Sequence, residues 1–218
     1  MARKFKKSKV SICVFCEGES EQAYIDLLKS EFHDVAVFKR PSSPGLFDDA
    51  DNRFKKDPGY RNYVDAIDEI WFFFDVEEKD IGNWTNRLEI IKRLRKLRKD
   101  PKIRVRLLMT TGCIEYWLML HYRHLAPSLL TVPDKERMLA QVVNMEPTYR
   151  KGNYDATARI AQNYPTAVKN ATIVLQNLLQ EGMPGLEDTD ERNCWLCTKC
   201  KTFSTVQEAI VFLEGLQS

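Results

Sequence analysis

Five large apolar residues in a row, Ile70-Trp71-Phe72-Phe73-Phe74, stop abruptly at Asp75. A run this short and this apolar fits a strand with both faces covered, so the segment reads as the central strand of a sheet. Val10-Ser11-Ile12-Cys13-Val14-Phe15-Cys16 has the same character and stops as abruptly at Glu17. Two strands buried on both sides require helices above and below them. That excludes an all-helical bundle and a simple antiparallel sandwich.

The segments between them supply those helices. Ser20 suits an N-cap for a helix over 21–32, where Tyr24, Leu27, Leu28 and Phe32 recur at helical spacing. A strand is expected at 35–38, a loop over 41–51 and a helix over 62–69. An amphipathic helix follows over 86–99, with Leu88, Ile91, Leu94 and Leu97 on one side. Ile103, Val105, Leu107 and Met109 alternate with Arg104 and Arg106, which predicts a strand with one partly exposed face. The order β-α-β-α-β-α-β predicts an α/β domain over 10–125 with a mainly parallel sheet flanked by helices. After Gly112 helical patterns take over, at 114–125, 135–145, 156–163 and 166–180. Ser204-x-x-Gln207 reads as a capping box opening a last helix to 216. The part from 126 to 218 is expected to be a helical extension.

The chain has 218 residues, 44% of them hydrophobic and 11% aromatic, enough for a packed core. No apolar run approaches a membrane span, and the charged start at Met1–Lys7 leads into too short an apolar run for a secretory signal. A cytoplasmic protein without membrane contact is expected. Net charge is only +2, but its distribution is uneven. Residues 87–106 hold ten Lys/Arg against two acids, and residues 48–80 hold eleven acids against five bases. The basic stretch is either a solvated helix face or a guide for a polyanion. For the second reading the nucleic-acid-binding candidates are Arg87, Lys92, Arg93, Arg95, Lys96 and Lys99, with Arg98, Lys102, Arg104, Arg106 and the N-terminal bases beside them.

Acids at strand ends are the main chemical signal. Glu17 follows the first strand, Asp75 the apolar run, and Glu77 stands two residues on. Ligands of open parallel sheets sit beyond the carboxyl ends of strands. Acids from neighbouring strands can share a Mg²⁺ or Mn²⁺ there, with waters and a substrate phosphate completing the shell. The plain alternative is that the chain simply leaves the core at these points. Glu21 is an auxiliary acid or a complement to its helix dipole. Glu115 and His121 sit around a helix from each other. Glu115 is either a packing position of its helix or an acid that reaches the metal site at the strand ends, and His121 orients a phosphate, donates a proton, or is a structurally bonded histidine. Cys194-x-x-Cys197-x-x-Cys200 has the spacing of a partial zinc site, or is three unligated thiols. Cys13-x-x-Cys16 is expected to be accidental, because i and i+3 point to opposite faces of a strand.

These stretches also resemble a known family. Cys16-Glu17-Gly18-Glu19-Ser20-Glu21 is similar to the opening of the RloB-like family, itself similar to the second component of the AbiL phage-defence system. Phe74-Asp75-Val76-Glu77 stands where that family has its Toprim-type acids, with Glu in place of the usual second Asp. Gly112-Cys113-Ile114-Glu115-Tyr116-Trp117-Leu118-Met119-Leu120-His121-Tyr122 and Phe203-Ser204-Thr205-Val206 resemble two further family motifs. The resemblance implies a Toprim-like fold and a Mg²⁺-dependent nuclease acting on DNA or RNA in anti-phage defence. By position it makes Glu17 a proton-transfer acid or metal ligand, and Asp75 and Glu77 the principal ligands. It implies a separate ATPase partner, since no Walker A pattern occurs in the chain. The alternative is a non-catalytic adaptor that binds such an ATPase or a phage component, favoured by the departure at Glu77. The sequence leaves homo-oligomerisation open.

Overall fold

The computed structural model describes residues 9–218, so the expected contribution of Arg3, Lys4, Lys6 and Lys7 lies outside the described residues. Four strands form one wholly parallel sheet in the order β2-β1-β3-β4: β1 (Val10–Cys16), β2 (Ala36–Lys39), β3 (Glu69–Val76) and β4 (Arg104–Thr111). The chain is α/β, as expected. Between β1 and β2 runs α1 (Glu19–Glu31), and between β3 and β4 runs α4 (Trp84–Arg95). The first crossover leads away from the sheet's centre in one direction and the second in the other. The order therefore reverses between β1 and β3, and the crevice that such a reversal opens lies where Glu17 follows β1 and Asp75 stands one residue from the end of β3.

The apolar run is explained by two cores. Trp71 and Phe73 face one, with α1 and the later helices; Ile70, Phe72 and Phe74 face the other, with α4. Cys13 and Cys16 part in the same way, one to each core, so their spacing makes no pair. Phe47 stacks on Phe72 at 4.2 Å between ring centroids. It belongs to α2 (Phe47–Lys56), a helix that replaces much of the expected loop over 41–51. No α-helix covers 62–69. A short α3 (Pro58–Arg61) and a 3₁₀ turn at Val64–Ala66 lead directly into β3.

The later helices are α5 (Ile114–Leu120), α6 (Val132–Met145), α7 (Tyr154–Ala161), α8 (Tyr164–Gln180), α9 (Asp190–Thr198) and α10 (Val206–Gln217). They pack on both sides of the sheet. α5, α6, α7 and α10 add to the α1 core, while Val174, Leu175 and Leu178 of α8 and Leu196 of α9 add to the other. The capping box falls at Thr131 and Asp134 of α6, not at Ser204 and Gln207. The Ser204 segment does a different job. Phe203–Thr205 lies antiparallel beside β4, with Thr111 N–H donating to Phe203 O at 3.0 Å and Thr205 N–H to Met109 O at 2.9 Å. This covers an edge that would otherwise expose unpaired backbone.

β4 is also less exposed than its alternation predicts. Arg104 is exposed, but Arg106 is buried and forms a two-pronged pair with buried Glu69, both contacts at 3.0 Å. Trp71 Nε1 donates to the same carboxylate, and the Phe212 ring of α10 lies 4.6 Å from the guanidinium. The pattern misleads because partner and cover both come from distant segments. Among the described residues no helix is long and apolar enough to cross a membrane.

Candidate functional site

At the carboxyl edge of the sheet Glu17, Gly18, Glu19, Ser20, Glu21, Asp75, Ile114, Glu115 and Lys151 line a cavity of about 250 Å³. β1 delivers Glu17, β3 delivers Asp75, and the first turns of α1 and α5 deliver Glu21 and Glu115. The β1–β3 ladder continues past the strands, with Glu17 N–H donating to Phe73 O at 3.0 Å. Glu17 Oε2 then accepts the N–H of Asp75 at 2.9 Å. Gly112, between β4 and α5, has φ +75°, and a Cβ there would stand 2.7 Å from Leu129 O. Glycine is thus required for the turn that aims α5, and so Glu115, at the crevice.

The helix start differs from expectation in a useful way. Gly18, not Ser20, is the N-cap of α1. Glu21 becomes the third helical residue, and its carboxyl folds back against Gly18, where a Cβ would stand 2.8 Å from Glu21 Oε2. Freed from capping, the Ser20 hydroxyl accepts the N–H of Gly152 at 3.1 Å.

Electrostatically the site is strained. Asp75 Oδ1 is buried with no hydrogen-bond partner. Desolvation first, then the charges of Glu21, Glu17, Glu115 and Glu77, push its carboxyl well above the usual range. Burial likewise raises Glu21 to about 7, with Glu17 and Glu115 adding to it. Glu115 is 1% exposed and accepts Tyr149 OH at 3.1 Å, with Lys151 Nζ at 4.0 Å from it.

The other candidates lie elsewhere. Glu77 is outside the cavity lining and is ion-paired to Lys135 of α6 and to Lys79. Although burial opposes them, these lysines hold its carboxyl below the usual range. His121 is completely buried, with Nδ1 3.0 Å from Trp117 O and Nε2 3.4 Å from Tyr24 OH. Desolvation lowers it to about 4, so it is a neutral core histidine.

The three late cysteines do not meet around a common point. Cys194 and Cys197 lie on α9, a helix absent from the sequence reading, and Cys197 Sγ faces Met109 Sδ at 3.5 Å inside the core. Cys200 lies beyond the helix at φ 50°, beside a separate recess. Among the described residues no three His, Cys, Asp or Glu side chains are grouped as a metal cage.

Several bases of the basic stretch find acids, in the acidic stretch, within their own helix and in α9. Arg93 pairs with Asp51 and Lys92 with Glu89, and Arg95 grips Asp190 of α9 at 2.8 and 2.9 Å. Arg98 bonds Asp65 O, just before β3, which places that end of the segment at the opposite edge of the sheet from the acids. Arg87 sits over the Phe47 and Phe74 rings, and with Arg93 it borders a recess of about 550 Å³ on the α4 side. Lys96 and Lys99 are exposed.

Tyr149 and Lys151 were not legible as site residues. Their segment carries turn residues, Pro147, Gly152 and Asn153, and adjacent bases, Arg150 and Lys151, but nothing in its spacing points at a strand end.

Buried Glu21 and Glu115, half-buried Asp75 with one unsatisfied carboxylate oxygen, and exposed Glu17 stand at a sheet's reversal point, a donor set that suits a hard divalent cation taking one or two carboxylates and otherwise water. No curated protein matches the chain. The model of a family described as RloB-like protein matches residues 12–210, most of the chain's length. It takes in β1 from Ile12 onward, the other three strands, the acid pocket and the segment that covers β4, and the chain belongs to the RloB-like family.

Proposed function

We propose that the chain is a metal-dependent, Toprim-type nuclease that hydrolyses phosphodiester bonds of DNA or RNA, in anti-phage defence and in concert with a separate ATPase. The observation that carries this reading is the buried, unsatisfied Asp75 Oδ1 among the carboxylates of Glu17, Glu21 and Glu115. So many acids around one cavity oppose folding unless a cation or protons offset them. The family's resemblance supplies the reaction class and the partner.

In this reading Asp75 and Glu17 hold Mg²⁺ or Mn²⁺. When bound, such an ion activates water and stabilises charge on the phosphate. Glu17, a lining residue of the cavity, is also held in place by the Asp75 N–H on its Oε2. Glu115 is held by Tyr149, and Glu21, with its raised carboxyl, takes and returns a proton near neutral pH. Glu77 plays no direct part, because Lys135 and Lys79 engage it.

One observation favours the second reading, a non-catalytic adaptor. Glu77 stands in the motif position of a second ligand yet is engaged by lysines. Cleavage of nucleic acid in Mg²⁺ or Mn²⁺, with Asp75→Ala as control, separates the two.

A further inference from the structure

Five of the charged side chains lining the acid cavity are carboxylates, Glu17, Glu19, Glu21, Asp75 and Glu115, and the one cation among the described lining residues is Lys151. A polyanion approaching such a cavity meets a repulsive field unless fixed positive charge receives it. The basic helix cannot do this along most of its length, because its far end lies at the other edge of the sheet.

Lys151 is placed by design of the backbone around it. Gly152 takes φ +75°, and a Cβ there would lie 3.1 Å from Glu19 Cβ, so the turn fits closely against the start of α1. Ser20 Oγ accepts the Gly152 N–H on one side of Lys151, and Tyr149 OH bonds buried Glu115 on the other. Arg150 bonds the carbonyls of Pro147 and Tyr149, stiffening the turn before it. The turn is pinned on both sides of Lys151, while the Lys151 side chain is 64% exposed at the cavity rim and its Nζ is 4.0 Å from Glu115.

We infer that Lys151 is the substrate-binding cation of this site, receiving a backbone phosphate of a nucleic-acid strand at the rim while the carboxylates work beneath it. The inference rests on the nuclease reading for its ligand class, and it assigns the post-126 segment a part in the site. Lysine suits this task, since a flexible point charge follows phosphates of varied position without reading bases.

The test is fluorescence anisotropy of short labelled single-stranded DNA and RNA oligonucleotides in Ca²⁺, over a salt series, with wild type, Lys151→Met and Lys151→Arg. Lys151→Met weakens binding about tenfold, the size of one charge-assisted contact. The slope of log affinity against log salt falls by roughly 0.7, one phosphate contact on a single strand. Lys151→Arg keeps the slope. All three proteins share one melting temperature, because the side chain is exposed.

Equal affinity and slope in wild type and Lys151→Met overturns the inference, as does a wild type that binds neither oligonucleotide. Failure of the nuclease reading looks different: binding differs among the variants as described, but no protein cleaves in a separate assay with Mg²⁺ or Mn²⁺ and the ATPase partner present.

Discussion

Glu17 Oε2 accepts the backbone N–H of Asp75 at 2.9 Å, so the acid just after β1 is locked to the acid one residue from the end of β3. The bond fixes Glu17, and beside it Asp75 Oδ1 is buried and unsatisfied. The cost of that charge should be visible. Asp75→Asn keeps the shape, removes the charge and should stabilise the metal-free fold by about 1 kcal/mol or more at pH 8. The same change should weaken Mn²⁺ binding at least about tenfold. Urea unfolding and calorimetric titration check the two halves. A variant that is less stable and binds Mn²⁺ normally contradicts the assignment.

Glu21 predicts a pH dependence. Its carboxyl is raised from the model-compound value of 4.5 to about 7, chiefly by burial. Between those values the folded state holds a proton that the unfolded chain has released. Stability from this group is present below pH 4.5 and is lost as pH rises toward 7. Glu21→Gln should remove the decline, leaving the variant of order 2 kcal/mol more stable than wild type at pH 8. Chemical denaturation in EDTA at pH 5 and pH 8 measures it. A wild type equally stable at both, with Glu21→Gln unchanged, would count against a buried acid cluster.

Glu77 should behave unlike Glu17. It lies outside the cavity lining and is paired to Lys135 and Lys79. Glu77→Gln should change Mn²⁺ affinity by less than about threefold, below the roughly tenfold step of losing a ligand contact. Glu17→Gln should exceed tenfold. Equal losses in the two variants would mean that Glu77 turns into the pocket when metal binds.

Arg192 should be a structural keystone for the last two helices. It is fully buried and bonds Leu186 O, Asp188, Asn193 and both oxygens of Glu208. Arg192→Ala strands several acceptors and should cost about 3–5 kcal/mol. Differential scanning calorimetry shows it as a large drop in melting temperature. A drop of only a degree or two would mean that the network contributes little.

The sheet was legible because two strands announce themselves by apolar runs ending in acids, and β1 begins and ends where its residues say. Glu17, Asp75 and Glu21 were legible because strand ends and the first helical turn bring them together through local geometry. What escaped was long-range. Arg106 reads as an exposed base until Glu69 and Phe212 arrive from distant segments. Arg93 and Arg95 read as free charge until Asp51 and Asp190 pair with them. Tyr149 and Lys151 reach the pocket only because the Gly152 turn docks on Ser20. α2 and α9 were missed for a local reason: Asp, Asn and Arg crowd their sequences and mask the few apolar positions that they bury.

The most direct test of the central claim is a cleavage assay on plasmid DNA, single-stranded DNA and total transfer RNA, with Mg²⁺ and with Mn²⁺, run beside Asp75→Ala. The account predicts metal-dependent cleavage of at least one substrate by the wild type, with its ATPase partner present, and none by the variant. Full cleavage by Asp75→Ala, or metal titration showing no binding to the wild type, would contradict it.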